Sequence, residues 1–256
     1  MNWRIGSIPY LNVRPLIYGI EDRLVSTVPA QLAELLHHGQ IDVGIVPVAE
    51  VLRQDRYDIL DSIAIGANGP VRSVLLFHRQ PIATLRRIAV DPASRSSVML
   101  LRILLRKVYQ IEPEFYPSPI DAQLSEHPAR LVIGDAAIRA SLGNRDPLTS
   151  VFDLSAAWRD WTGLPFVFAV WAGQRGIFAD PALRNLLLTA KANGLANIET
   201  IVKNTTDATP EFRREYLTRC VRYNLGAREK QAVAQFQQYA VELGLIPTAG
   251  ELRYSA

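Results

Sequence analysis

Short apolar runs alternate with amphipathic helical stretches along the first two-thirds of this chain, and that alternation restricts its fold more than any other feature. Strand–helix alternation implies a mostly parallel sheet covered by helices. Residues 3–8 read as a strand, and Pro15 suits the first turn of a helix, where its missing N–H is not needed. Residues 25–28 are a second extended piece. Residues 29–36 form a helix with Leu32, Leu35 and Leu36 on one face, stopped by Gly39 with His37 and His38 in its last turn. A strand at 41–46 leads into a short helix at 47–53, and strands at 59–65 and 71–78 flank the turn-rich segment 66–70. A second unit starts near Leu85. It has a strand at 87–90, then a helix at 94–109 with Val98, Leu101, Leu104, Leu105 and Val108 at helical spacing. Residues 115–116 are extended, and a buried strand at 131–133 runs into Gly134-Asp135. A short helix at 154–158 and an aromatic, β-branched strand at 166–171 follow. From 181 onward the pattern is helical, with helices expected at 181–202, 209–223 and 227–243, the last stopped by Gly244. Two such units plus a helical tail predict two α/β lobes.

A chain of 256 residues can form one large domain or two smaller ones, and 48% apolar content excludes disorder. The lone Cys220 excludes a disulfide framework and a cysteine-based metal site, and is expected to be buried and reduced. None of His37, His38, His78 and His127 is paired at the four-residue spacing of a helical zinc motif. The 28 Lys+Arg are dispersed among 25 Asp+Glu rather than gathered into a stripe, so no nucleic-acid partner is expected. No apolar run approaches the ~20 residues of a membrane span, and no continuous apolar segment of a signal peptide follows the N-terminus. A cytoplasmic location without a membrane partner is the expectation.

Ligands of open α/β sheets bind beyond the carboxyl ends of strands, near helix N-termini. Four links have that form: Ile8-Pro9-Tyr10-Leu11-Asn12, Val46-Pro47-Val48, Asp91-Pro92-Ala93-Ser94-Arg95-Ser96-Ser97 and Ile133-Gly134-Asp135-Ala136. In the third link, Ser94, Ser96 and Ser97 stand where helix N–H groups are free. Hydroxyls, free donors and the positive end of the helix dipole suit a carboxylate or phosphate. A plain N-cap, which one serine would supply, is the competing explanation. There is no phosphate-binding or dinucleotide glycine loop and no Gly-x-Ser-x-Gly elbow. Asp135, after a strand and a glycine, suits either a general base or a capping carboxylate.

Taken in order, these motifs resemble one family. Arg4-Ile5-Gly6-Ser7-Ile8-Pro9-Tyr10-Leu11-Asn12-Val13-Arg14-Pro15-Leu16 is similar to the opening of the chorismate dehydratases of the futalosine route to menaquinone. The likeness continues in Gly39-Gln40-Ile41-Asp42-Val43-Gly44-Ile45-Val46-Pro47, Asn68-Gly69-Pro70-Val71-Arg72-Ser73-Val74 and Ser94-Arg95-Ser96-Ser97-Val98. Ile133-Gly134-Asp135 and Trp161-Thr162-Gly163-Leu164-Pro165-Phe166-Val167-Phe168-Ala169 complete it. It covers roughly residues 4–172. Pro9 departs from the serine the family commonly carries before Tyr-Leu-Asn.

The resemblance implies a periplasmic-binding-protein type II-like fold with a ligand cleft between two α/β lobes. Residues 1–84 plus 173–256 would form the first lobe and 85–172 the inserted second, with crossings near Pro81 and Ala172. It implies conversion of chorismate, a small dicarboxylate, to 3-[(1-carboxyvinyl)oxy]benzoate and water, without metal or cofactor. Asn12 and Ser73 are the expected catalytic residues. Ser94, Ser96 and Ser97 are expected to hold a carboxylate, and Tyr10, Pro47, Gly134, Asp135, Gly163 and Leu164 to line the cleft. Three other readings compete: a non-catalytic carboxylate-binding protein, the sister enzyme class that makes dihydroxynaphthoate, and a DNA-binding regulator using the C-terminal helices.

Overall fold

The computed structural model describes residues 3–91, 94–119, 126–143 and 146–255. Pro92 and Ala93, within the predicted 91–97 link, lie outside the described residues. In chain order the strands are β1 (Ile5–Ser7), β2 (Leu24–Ser26), β3 (Val43–Pro47), β4 (Tyr57–Ala67), β5 (Val74–His78), β6 (Arg87–Val90), β7 (Glu114–Pro117), β8 (Ala129–Ile133), β9 (Ser150–Asp153), β10 (Phe166–Gln174) and β11 (Tyr254–Ser255). The helices are α1 (Pro29–His37), α2 (Val48–Arg53), α3 (Arg95–Lys107), α4 (Gly134–Gly143), α5 (Leu154–Thr162), α6 (Pro181–Ala196), α7 (Ile198–Lys203), α8 (Pro210–Glu215) and α9 (Ala227–Glu242). Pro15 lies inside a 3-10 turn, Leu11–Leu16, rather than starting an α-helix.

The strands form two sheets, ordered β11-β4-β10-β3-β1-β2 and β7-β6-β8-β5-β9. Both repeat one arrangement. The first parallel strand of each lies between the next two, as β2-β1-β3 and β7-β6-β8, and an antiparallel strand flanks the third. Those antiparallel strands are β10, against β3 and β4, and β5, against β8 and β9. All strands but one in each sheet run the same way, as the mostly parallel expectation has it: helical crossovers make the parallel pairs, and only the two strands that cross between units, β10 and β5, run the other way.

The same pairings move the predicted boundaries. β5 belongs to the second sheet and β10, through Gln174, to the first. The chain therefore crosses between Ala67 and Val74 and returns between Thr162 and Phe166, not near Pro81 and Ala172. Pro81 marks only the loop after β5, and β10 is buried from Phe166 to Gly173 because it runs through the middle of the first sheet.

The tail is more broken than its pattern predicts. α6 ends at Ala196, and α7 starts at Ile198 after Asn197 leaves helical geometry. α8 gives way to a π-helical turn, Tyr216–Cys220, and then to extended chain. The core joins the units: Trp158 of α5 meets Phe166 of β10 and Phe236 of α9 edge-on, and its indole N–H donates to the Pro165 carbonyl at 3.0 Å. No helix among the described residues is long and apolar enough to cross a membrane.

Candidate active site

A cleft with about 580 Å³ of atom-free space, its open mouth included, lies between the sheets at the carboxyl ends of β1, β3 and β8 and beyond β6. Ile45, Ile65, Val71, Ile133 and Phe168 supply an apolar wall, and the polar groups converge on it from both sheets.

Tyr10 and Asn12 come from the 3-10 turn after β1, which the second sheet holds from below. Both Asp135 carboxylate oxygens accept the Leu11 N–H, at 3.1 and 3.2 Å. Gly134, at φ 63°, lies under the Tyr10 ring, where an added Cβ would come within 3.2 Å of the ring carbons. On its other side the turn meets α6 at Gly194, where a Cβ would stand 2.0 Å from the Pro15 carbonyl oxygen. Burial pushes the Asp135 carboxyl up to about 6, although the Leu11 N–H pulls the other way. Burial also raises the Tyr10 hydroxyl to about 12, with Asp91 and Asp135 adding to the effect.

Ser73 is buried at the crossing into β5, and its carbonyl accepts the Gly134 N–H at 2.8 Å. The residue before it, Arg72, sits in the left-handed region at φ 62°. Such strain persists only where the surroundings enforce it. Here the Arg72 N–H donates to Asp153 Oδ2 at 2.7 Å, while its guanidinium stacks 4.3 Å over Phe212 and pairs with Glu215 at 3.2 Å. The Ser73 Oγ accepts a hydrogen bond of 2.8 Å from the buried Tyr216 hydroxyl.

α3 points its N-terminus at the cleft. Ser94 occupies the N-cap position, yet its side chain makes no capping hydrogen bond, and its buried Oγ has no partner among the described residues. The plain N-cap explanation therefore fails for Ser94. Ser96 Oγ accepts the Ala49 N–H of α2 at 3.1 Å, which leaves its own proton to give. Ser97 is buried on the same wall. The first N–H groups of a helix have no intrahelical acceptor, so this end presents donors and a positive dipole to an anion.

Of the residues named from sequence, Tyr10, Asn12, Pro47, Ser73, Ser94, Ser96, Ser97 and Gly134 line the cleft. Asp135 stands behind the wall as the clamp on Leu11. Gly163 and Leu164 are not on the wall, a correction: Gly163 closes α5 in the left-handed region, with its carbonyl accepting Arg228 Nη2 at 2.6 Å, and Leu164 is buried beside it. Their motif serves the return crossing. Cys220 is half-buried rather than fully buried, and burial raises its thiol.

Two polar residues of the site were missed. Arg95 lines the cleft and bridges Glu50 at 2.6 Å and Glu34 at 2.7 Å. It lies within the serine motif, between Ser94 and Ser96. Tyr216 comes from the tail, where no local pattern separates it from core aromatics. Among the described residues, no group of three His, Cys, Asp or Glu side chains could hold a metal ion.

Residues 3–242 match the family model described as menaquinone biosynthesis. A chorismate dehydratase from Thermus thermophilus is 32% identical over 217 residues, spanning 78% of this chain and 80% of that protein. A chorismate dehydratase from Campylobacter jejuni is 27% identical over 252 residues, 94% of this chain and 98% of that one. Among solved structures, a protein from Archaeoglobus fulgidus superposes with a TM-score of 0.78 at 19% identity, over 95% of this chain and 98% of that one. The periplasmic aliphatic sulphonate binding protein of Escherichia coli does so with a TM-score of 0.63 at 19% identity, over 97% and 89%. The fold is that of the periplasmic binding proteins, as the resemblance implied.

Proposed function

The chain belongs to the menaquinone biosynthesis family, and from that membership we propose that it is a lyase that dehydrates chorismate to 3-[(1-carboxyvinyl)oxy]benzoate. The observation that carries this reading at the site is the convergence of Asn12 from the first sheet unit and Ser73 from the crossing on one cleft whose wall holds the free donors of α3. The substrate is a dicarboxylate, and Ser94, Ser96, Ser97 and the N–H groups beside them receive one of its carboxylates.

The reaction breaks the ring C3–H and C4–O bonds. The C3 electron pair becomes part of the new aromatic system, and the C4 oxygen leaves as water. The ring carboxylate activates the C3 proton vinylogously, and aromatisation drives the step. The protein's work is to orient the ring, exclude competing rearrangements and stabilise developing charge. An amide is too weak a base to take the proton, so Asn12 orients the C3–C4 edge and the departing hydroxyl. The substrate's enolpyruvyl carboxylate accepts the C3 proton and returns it to the departing hydroxyl, which leaves as water, while Ser73 stabilises that oxygen with a donated hydrogen bond. Asp135 holds the Asn12 turn in place. The two sheet units act as lobes around the substrate, and the biosynthetic role supports a cytoplasmic enzyme with a small-molecule substrate and no nucleic-acid partner.

Incubating purified protein with chorismate and identifying the product by mass spectrometry tests the reading. An aromatic product one water lighter is expected. Saturable binding with chorismate recovered intact would replace it with the carboxylate-binding alternative.

A further inference from the structure

We propose that Tyr216 is a positioning residue for this reaction: its hydroxyl holds Ser73 so that the serine O–H points into the cleft as a hydrogen-bond donor. The inference rests on the dehydratase reading and extends it to a residue of the C-terminal segment.

A serine hydroxyl carries one proton and two lone pairs. The Tyr216 O–H donates to Ser73 Oγ at 2.8 Å, so one lone pair is occupied and the oxygen is fixed as an acceptor on that side. The Ser73 proton must then point elsewhere, and Ser73 borders the cleft. Asn12 lines the same cleft, and its buried side-chain carbonyl oxygen has no partner among the described residues. The two hydroxyls form a directional pair, from the Tyr216 proton to Ser73 Oγ and from the Ser73 proton to the substrate. Burial holds the Tyr216 hydroxyl well above the usual phenol range, so it stays protonated and remains a donor.

The local backbone supports the same assignment. Tyr216 opens the π-helical turn Tyr216–Cys220, a geometry found often at functional sites. Its neighbour Glu215 pairs with Arg72, the strained residue directly before Ser73. The segment therefore reaches the serine's surroundings twice, once through the guanidinium of Arg72 and once through the Ser73 hydroxyl. A phenylalanine would fill the same space, so packing alone does not require the oxygen.

The test is a double-mutant cycle on kcat and KM with chorismate, using Tyr216→Phe, Ser73→Ala and the pair. Tyr216→Phe is expected to lower kcat about 10- to 100-fold while KM changes less than about three-fold. In the Ser73→Ala background the same change is expected to alter kcat by less than about two-fold, because the phenol acts through the serine. Multiplicative losses, an unchanged kcat, or a loss carried by KM would overturn the assignment. Thermal unfolding checks the fold of each variant. Incorporation of 3-fluorotyrosine at 216 keeps the ring and its hydroxyl and makes the phenol more acidic. It is expected to move kcat without moving KM, and an unmoved kcat would count against the proposal. A wild-type protein without turnover removes the dehydratase reading and this inference together, whereas an active wild type with multiplicative losses removes the inference alone.

Discussion

Asp135→Asn isolates the clamp under the Asn12 turn. The native carboxyl titrates near 6 against 3.8 for an ordinary aspartate, because burial disfavours its charge. Between those values the folded chain binds more protons than the unfolded one, so stability falls as pH rises through the window. The contribution is fully present below 3.8 and lost above 6. Its full size, at about 1.4 kcal/mol per tenfold change in proton affinity, is about 3 kcal/mol, of which about 1 kcal/mol is already lost at pH 4.5. Asparagine keeps an oxygen to accept the Leu11 N–H but carries no titrating charge. The stability of Asp135→Asn relative to wild type should therefore rise by about 2 kcal/mol between pH 4.5 and pH 8. Urea unfolding of both proteins at several pH values, followed by circular dichroism, measures this directly. Parallel wild-type and variant curves would refute the argument, because they would mean that Asp135 titrates alike in the folded and unfolded chains. Turnover at pH 8 should survive in the variant, since the residue positions the turn and does not touch the substrate.

Gly194→Ala should destabilise the fold by at least about 1–3 kcal/mol, the usual cost of overpacking, because its Cβ would meet the Pro15 carbonyl oxygen at 2.0 Å. Chemical denaturation measures the loss, and a variant of wild-type stability would show that α6 does not press on the turn. Ser94→Ala should change stability by less than about 0.5 kcal/mol, where loss of a working N-cap costs about 1 kcal/mol. Its KM for chorismate should rise, and a stability loss with KM unchanged would make Ser94 a cap after all.

Where a residue's role follows from local pattern, the sequence was legible. The apolar spacing of Leu101, Leu104 and Leu105 marked α3, and the run into Gly134-Asp135 marked the end of β8. The strand-to-helix links carrying Tyr10, Asn12, Pro47, Ser94, Ser96, Ser97 and Gly134 do meet at one cleft. Elements with weak burial left no such trace. β9 is exposed or half-buried along its length, and β11 has only two residues. The crossing points were misplaced because a prolyl loop at 81 breaks the chain more visibly than the transfer of β5 to another sheet. Pairing partners are a tertiary property, and nothing local distinguishes a strand that stays from one that crosses. Gly163 and Leu164 entered through a motif whose task is the return turn. Tyr216 reaches Ser73 across 143 positions of sequence, a contact that only the folded chain creates.

The claim that chorismate loses water in the cleft between the two sheets, with Asn12 orienting the reacting edge, is tested most directly by Asn12→Ala. Chorismate binding is measured by calorimetry and conversion by single-turnover quench with excess enzyme. The variant should fold, bind chorismate with affinity within about ten-fold of wild type through the α3 donors, and fail to release the aromatic product on the wild-type time scale. Conversion by Asn12→Ala at a rate near that of the wild type would contradict the account.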